Sequence, residues 1–214
     1  MIGFKASEGG RIVRDLIKKI QENKEYLSEI DGLIGDGDHG INMNKGFTKC
    51  EEKIKDDNDI HISKAFRVLG RTLLMEIGGS MGPLYGTFFI EMSKTCDNID
   101  FIDADVFSRM LKAAVAGISN ISNARPGDKS LMDTLVPAQE AFDAALLRGE
   151  DFKQALIELK EAAEKGMEST KDIVAKIGRA SRLGERSRGV LDAGAASCNL
   201  ILQSICDSVI SLLD

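Results

Sequence analysis

The chain has no tryptophan, and aromatic residues fill only 5% of its 214 positions. Alanine, leucine, isoleucine and lysine are plentiful instead, a composition that leans towards helix. Cysteine is scarce. Cys50, Cys96, Cys198 and Cys206 show neither CxxC spacing nor the density of a disulfide scaffold, so buried thiols in a reducing cytosol are expected. Positive charge is in deficit: the formal net charge of −6 disfavours a general phosphate-backbone binder, because nucleic-acid affinity depends on clustered cations. A nucleotide site stays open, since a bound metal supplies positive charge locally. Long apolar runs are also lacking. The amino terminus MIGFKASEGGRIV does not read as a secretory signal, and Asn199, Gln203 and Asp207 interrupt the carboxyl-terminal CNLILQSICDSVISLL short of a membrane span. These absences predict a cytoplasmic protein with no membrane and no nucleic-acid partner. With 43% apolar and 29% charged residues, the chain fits one domain, taken as residues 1–214.

What is present is a series of amphipathic segments separated by glycine-rich turns. Ile12, Val13, Leu16, Ile17 and Ile20 recur at helical spacing around Arg14, Lys18 and Lys19. A second helix is expected from about Asn42 to Lys55, and a third from the N-cap candidate Ser63 to about Ile77, with Phe66, Leu69, Leu73 and Leu74 inward. A fourth follows Pro83, and a fifth begins near Asp103. The sixth spans about Ser130 to Leu147, where Pro137 should kink it or cost it a hydrogen bond. Asp151 caps a seventh, and the eighth runs from about Asp192. No convincing strand is found, so the fold class is all-α.

The turns carry the chemistry. Asp31-Gly-Leu-Ile-Gly-Asp36-Gly-Asp38-His39-Gly-Ile-Asn42 places three carboxylates within eight residues, in a loop that feeds a helix. Without neutralisation such charges repel and raise one another's pKa. Magnesium is the natural remedy, being a hard cation that takes carboxylate oxygens and shares its other sites with water and phosphate. A calcium EF-hand is excluded, since Ile41 and Phe47 stand where its glycine and glutamate belong. Gly35-x-Gly37-x-x-Gly40 matches the dinucleotide fingerprint only formally, because no strand precedes it.

Gly78-Gly79-Ser80-Met81-Gly82-Pro83 is a second turn, lying between an apolar helix and the opening of the next, where backbone N–H groups form an anion site. No GxxxxGK[ST] loop occurs. In Pro126-Gly-Asp128-Lys129-Ser130-Leu131, Asp128 or Ser130 can cap the sixth helix and Lys129 can meet a phosphate. Four arginines between Arg179 and Arg188, interspersed with glycine, read either as a phosphate clamp or as a solvated basic loop. His39 is placed beside the aspartates, either as a nucleotide or metal contact or as a structural group.

Taken together, IGDGDHGINMNKGF, GGSMGPLYGTFF, PGDKSLMDTLVPA and GRASRLGERSRGVLDAGAASC resemble the L subunit of bacterial dihydroxyacetone kinases and the equivalent domain of single-chain enzymes. The motifs stand in the family's order and cover nearly the whole chain. The resemblance implies a barrel of eight antiparallel helices with the nucleotide at one end. It implies that Asp31, Asp36 and Asp38 hold two Mg²⁺ ions, and that His39, Gly40, Ile41 and Asn42 line ADP or ATP. It further places Ser80 and Met81 on the phosphate turn, Leu131 on the adenine side, Arg179 at the phosphates as the catalytic group, and Asp192, Ala193 and Gly194 in the last nucleotide-binding segment. Family members often carry alanine and serine where Ser80 and Met81 stand, proline in place of Ala193, and glycine near Ser122.

The implied partners are a K subunit that holds dihydroxyacetone through a histidine hemiaminal, and an M subunit whose phosphohistidine rephosphorylates bound ADP. Phosphoryl transfer needs charge neutralisation and alignment more than covalent chemistry, which suits these residues. Two alternatives stand beside this reading: a split kinase subunit using exchangeable ATP, and a non-catalytic metal-binding helical adaptor.

Overall fold

Apolar positions repeating every three or four residues build nine α-helices in the computed structural model, which describes residues 2–214. They are α1 (Gly9–Glu22), α2 (Lys24–Ile34), α3 (His39–Ile54), α4 (Ile62–Glu76), α5 (Met81–Thr95), α6 (Ala104–Ile121), α7 (Met132–Leu147), α8 (Phe152–Ser169) and α9 (Ala193–Leu213). The all-α class holds. The helix that periodicity does not reveal is α2. Only Leu27, Ile30 and Ile34 of it are buried, and a single residue, Asn23, separates it from α1. Asn23 ends α1 by donating from its side chain to the Lys19 carbonyl at 2.8 Å.

Two strands that the sequence reading did not anticipate, β1 (Gly3–Lys5) and β2 (Phe101–Asp103), pair antiparallel with Phe4 opposite Ile102. Three residues are too few to show alternation, and the ribbon is fixed by burying Phe4 and Ile102. Local capping sets the helix starts. Asp103, Asp151 and Asp192 each accept from the amide three residues on, at 2.9, 2.8 and 2.8 Å. Ser63 does not cap α4. His61 does, its Nδ1 accepting from the Ser63 amide at 3.1 Å. Neither Asp128 nor Ser130 holds the cap position of α7, which belongs to Leu131. Ser130 Oγ accepts from Met132 N at 3.2 Å, whereas Asp128 binds the Arg125 amide in the preceding turn. Pro137 lies inside α7, which continues through it to Leu147.

One hydrophobic core runs through the helices. Phe66, Phe88 and Phe89 cluster with ring centroids 4.9–5.5 Å apart, and Phe107, Phe142 and Phe152 form a second group at 5.3–6.0 Å. Leu74 is exposed, not inward. All four cysteines are free and buried, and burial pushes the Cys50 and Cys96 thiols up to about 12, which leaves them inert. At 21 residues α9 is long and apolar enough to cross a membrane, contrary to the reading that its polar residues cut it short. It packs against α1, α7 and α8 instead, burying Ile201, Leu202, Ile205 and Val209.

The packing of α8 on α7 depends on Gly166, where a Cβ would collide with the backbone carbonyl of Asp133. Gly166→Ala is expected to destabilise the fold by about 2 kcal/mol through overpacking, read as a lower urea midpoint. An unchanged midpoint would show that α7 and α8 do not meet so closely.

Candidate functional site

The α2–α3 turn, the α4–α5 turn, the approach to α7, residues 177–180 and the start of α9 surround one cavity of ≈ 490 Å³. Because ends of several helices converge there, backbone donors and short turns, not strand edges, build its walls.

The acidic wall comes first. Asp31 lies in the last turn of α2, whose C-cap, Gly35, returns its amide to the Asp31 carbonyl at 2.5 Å. Gly37 takes φ +75°, a conformation that suits glycine, and this sharp turn carries the chain into α3 with Asp38 as its N-cap residue. One oxygen from each of Asp31, Asp36 and Asp38 falls within 4.8 Å of the others. The His39 amide donates to Asp31 at 3.3 Å, orienting that carboxylate. An all-oxygen set of three carboxylates fits a magnesium ion that retains waters and shares phosphate oxygens. The Arg179 guanidinium pairs with Asp36, placing a cation against this wall.

A second wall is the α4–α5 turn. A Cβ built at Gly78 or Gly79 meets no atom within 4 Å, so both backbone units face open space, and Gly79 takes φ +68°. Ser80 and Met81 line the cavity where α5 begins, so the partly positive N-terminus of that helix borders the same cavity as the carboxylates.

The floor was not legible in the sequence. His39 Nε2 lies 2.8 Å from Ser197 Oγ, Ser197 Oγ lies 2.5 Å from Tyr85 Oη, and the tyrosine donates to the Gly194 carbonyl at 2.9 Å. This network joins α3, α5 and α9 under the cavity. Burial alone lowers the His39 pKa to about 4, so its ring is neutral at pH 7. Asp192, Ala193 and Gly194 line the same side, and burial pushes the Asp192 carboxyl up to about 6 against its cap bond to the Ala195 amide.

Of the remaining residues anticipated from sequence, Asn42, Leu131 and Arg179 line the cavity. Gly40 does not. It packs against α2, where a Cβ would strike the Lys24 carbonyl. Ile41 is 54% exposed and also lies off the lining. Lys129 reaches the cavity wall, but its ammonium donates to main-chain carbonyls and offers no phosphate contact.

His39 gives a pH test. Its folded pKa lies below the ordinary 6.5. As pH falls from about 6.5 to 4, the unfolded chain takes a proton that the folded ring refuses, so stability is lost across that window. Asp192 acts oppositely, because its raised pKa favours the folded state towards acid. The comparison with His39→Gln isolates the histidine: wild type is expected to lose about 3 kcal/mol more than the variant between pH 7.5 and 4.5. Parallel urea-denaturation curves at the two pH values would contradict a buried neutral ring.

Residues 33–207 match the DAK2 domain family. Among curated proteins, the chain is 36% identical over 201 residues to the PEP-dependent dihydroxyacetone kinase 1, ADP-binding subunit DhaL, of Listeria innocua, covering 94% of this chain and 96% of that protein. It is 37% identical over 181 residues to the PEP-dependent dihydroxyacetone kinase ADP-binding subunit DhaL of Escherichia coli K12, covering 85% and 86%. Among solved structures, the dihydroxyacetone kinase of C. freundii in its native form superposes with a TM-score of 0.71 at 20% identity, over 97% of this chain and 36% of that one. The same enzyme in complex with AMP-PNP and Mg²⁺ gives a TM-score of 0.68. At that identity the structural likeness concerns the fold. The resemblance carried by the four glycine-rich motifs thus holds along the sequence and in the architecture, and the chain belongs to the DAK2 domain family.

Proposed function

We propose that this chain is the nucleotide-carrying subunit of a phosphoenolpyruvate-dependent dihydroxyacetone kinase. The observation that carries the reading is the trio Asp31, Asp36 and Asp38, gathered within 4.8 Å on one wall of a cavity whose other wall is an open glycine turn. Relatives covered over most of their length are named ADP-binding subunits of such kinases, which supports it. The three aspartates would hold Mg²⁺, two ions in this reading. When bound, the metal supplies charge neutralisation for the phosphate oxygens.

The chain's own residues do the rest. Backbone amides at Ser80 and Met81 bind phosphate oxygens, Leu131 packs on the adenine side, and Asn42 and the Asp192–Gly194 segment close the nucleotide's flank. His39, buried and neutral, orients this wall through Ser197, while Gly40 lets the start of α3 pack closely on α2 and Ile41 stays off the lining. Arg179 leaves Asp36 for the transferred group and stabilises its developing charge. The whole of residues 1–214 acts as one such domain, and its place is the cytoplasm.

The sugar belongs to a partner. Neither histidine here is free to hold a carbonyl substrate: His61 accepts from the Ser63 amide and contacts the Ile99 carbonyl through Nε2 at 3.1 Å, and His39 is buried against Ser197. A K subunit therefore presents dihydroxyacetone at the cavity mouth, and an M subunit's phosphohistidine recharges ADP in place. The test supplies the chain, with catalytic ADP, to K subunit and dihydroxyacetone, and drives it either with the phosphorylated M subunit or with ATP. Glycerone phosphate formed from the M subunit is the expected result. Product from ATP alone would favour an exchangeable-ATP kinase, and product from neither would overturn the proposal.

A further inference from the structure

Lys129 is 2% exposed, takes φ +66°, a backbone conformation rare outside glycine, and spends its ammonium on main-chain carbonyls. Its Nζ donates to Thr170 at 2.6 Å, Ile173 at 3.3 Å and Val190 at 2.5 Å. An ammonium has three protons, so none is left for a ligand. The acceptors are informative. Thr170 and Ile173 lie on the arm of chain entering the segment that bears Arg179, and Val190 lies on the arm leaving it.

The two arms are also stitched to each other. Asp192 N donates to Thr170 Oγ1 at 3.0 Å, Gly189 N to the Lys171 carbonyl at 2.7 Å, and Ala175 N to Ser187 Oγ at 2.9 Å. Beyond this neck, the tip from Arg179 to Ser187 is bounded and broken by Gly178 and Gly184, with φ +67° and +55°. A buried cation thus closes the base of a loop whose tip is a largely exposed 3₁₀ segment interrupted at Gly184. On the α7 side, Lys129 is anchored through Asp133, which accepts from Gly127 N at 2.5 Å and Ser130 N at 2.7 Å.

We infer that Lys129 is a positioning residue: it locks the neck of the 170–192 loop to the start of α7, and so fixes Arg179 and the Asp192 wall across the cavity. The inference rests on the nucleotide reading above. The lysine acts through the loop, not through ligand contact, and this sets the test. Release of a fluorescent ADP analogue is timed with Mg²⁺ on the full chain, in wild type, Lys129→Met, Arg179→Ala and the double variant. Lys129→Met is expected to speed release about tenfold, and to add little in the Arg179→Ala background, because residues acting in one unit are non-additive. Tryptic cleavage after Arg182 and Arg186 should quicken about tenfold in Lys129→Met as the neck loosens, which follows the population of open loop.

Effects that multiply in the double variant, or release at the wild-type rate in Lys129→Met, would overturn the inference while leaving the nucleotide site standing. A wild-type chain that fails to bind the analogue removes the nucleotide reading, and the role at the cavity with it. Hydrogen exchange on wild type keeps the test independent of variant folding. Amides of Ala175, Gly189 and Asp192 are expected to exchange at least tenfold more slowly than those of 179–186. Equal rates in neck and tip would overturn the lock.

Discussion

Asp36→Ala is expected to reduce turnover by about three orders of magnitude and to weaken ADP in the presence of Mg²⁺ by roughly 10- to 100-fold. Asp36 is the exposed member of the trio, in the turn between α2 and α3, and it caps no helix. Its removal leaves Asp31 and Asp38, too few charges to hold metal against two phosphates, and strips Arg179 of its partner. The fold has little to lose. An ion pair this exposed contributes about 0–1 kcal/mol, so helix content and the unfolding midpoint should stay near wild type. The check is steady-state turnover with the partner subunits, set beside circular dichroism of the same preparation. Near-normal turnover would remove the metal assignment, and loss of helicity would mean that the turn has a structural role not visible in its bonds.

Arg179→Ala is expected to lower kcat by about 10²- to 10³-fold while weakening ADP only about tenfold. The asymmetry follows from what the guanidinium does. In the free chain it satisfies Asp36, so in the ground state it exchanges one anion for another. Its larger effect comes when charge builds on the transferred phosphoryl group. Lysine should restore only part of the rate, since a point charge lacks the planar fork of donors. Equal losses in kcat and ADP affinity would make Arg179 a binding group alone.

Much of this site could be read in the sequence because its parts are local. Asp31, Asp36 and Asp38 fall within eight residues, at the end of α2, in the turn after it and at the cap of α3, so their oxygens come together locally, and the cavity lining includes all three. The same holds for Gly78–Met81 and for Asp192–Gly194, each a short run at a helix start. What the sequence hides is what distance separates. Tyr85 and Ser197 are 112 positions apart and meet only because the fold brings the first turn of α9 up to Tyr85 of α5 at the cavity floor. In the sequence Lys129 is a basic group able to meet a phosphate, in a turn that helix capping mostly explains. Its three carbonyl partners lie 41 to 61 residues away, and only the folded neck reveals them.

The fold follows the same logic. The helices with a broad apolar face, such as α1 with Ile12, Leu16 and Ile20, declare themselves by period. In α2 three buried residues share a helix with Asp31 and with the exposed Tyr26 and Leu33, which blurs the pattern. The β1–β2 ribbon is held by a contact between residues about a hundred positions apart, for which no local signal exists.

Calorimetric titration of ADP into the full chain, with Mg²⁺ and then with the metal chelated, addresses the acidic trio most directly. Tight binding that weakens at least a hundredfold on chelation, with adenosine unaffected by the metal, is the expected outcome. ADP binding of equal strength with and without Mg²⁺ would mean that the carboxylates of Asp31, Asp36 and Asp38 do not hold the diphosphate through metal, and the proposed chemistry would be wrong at its root.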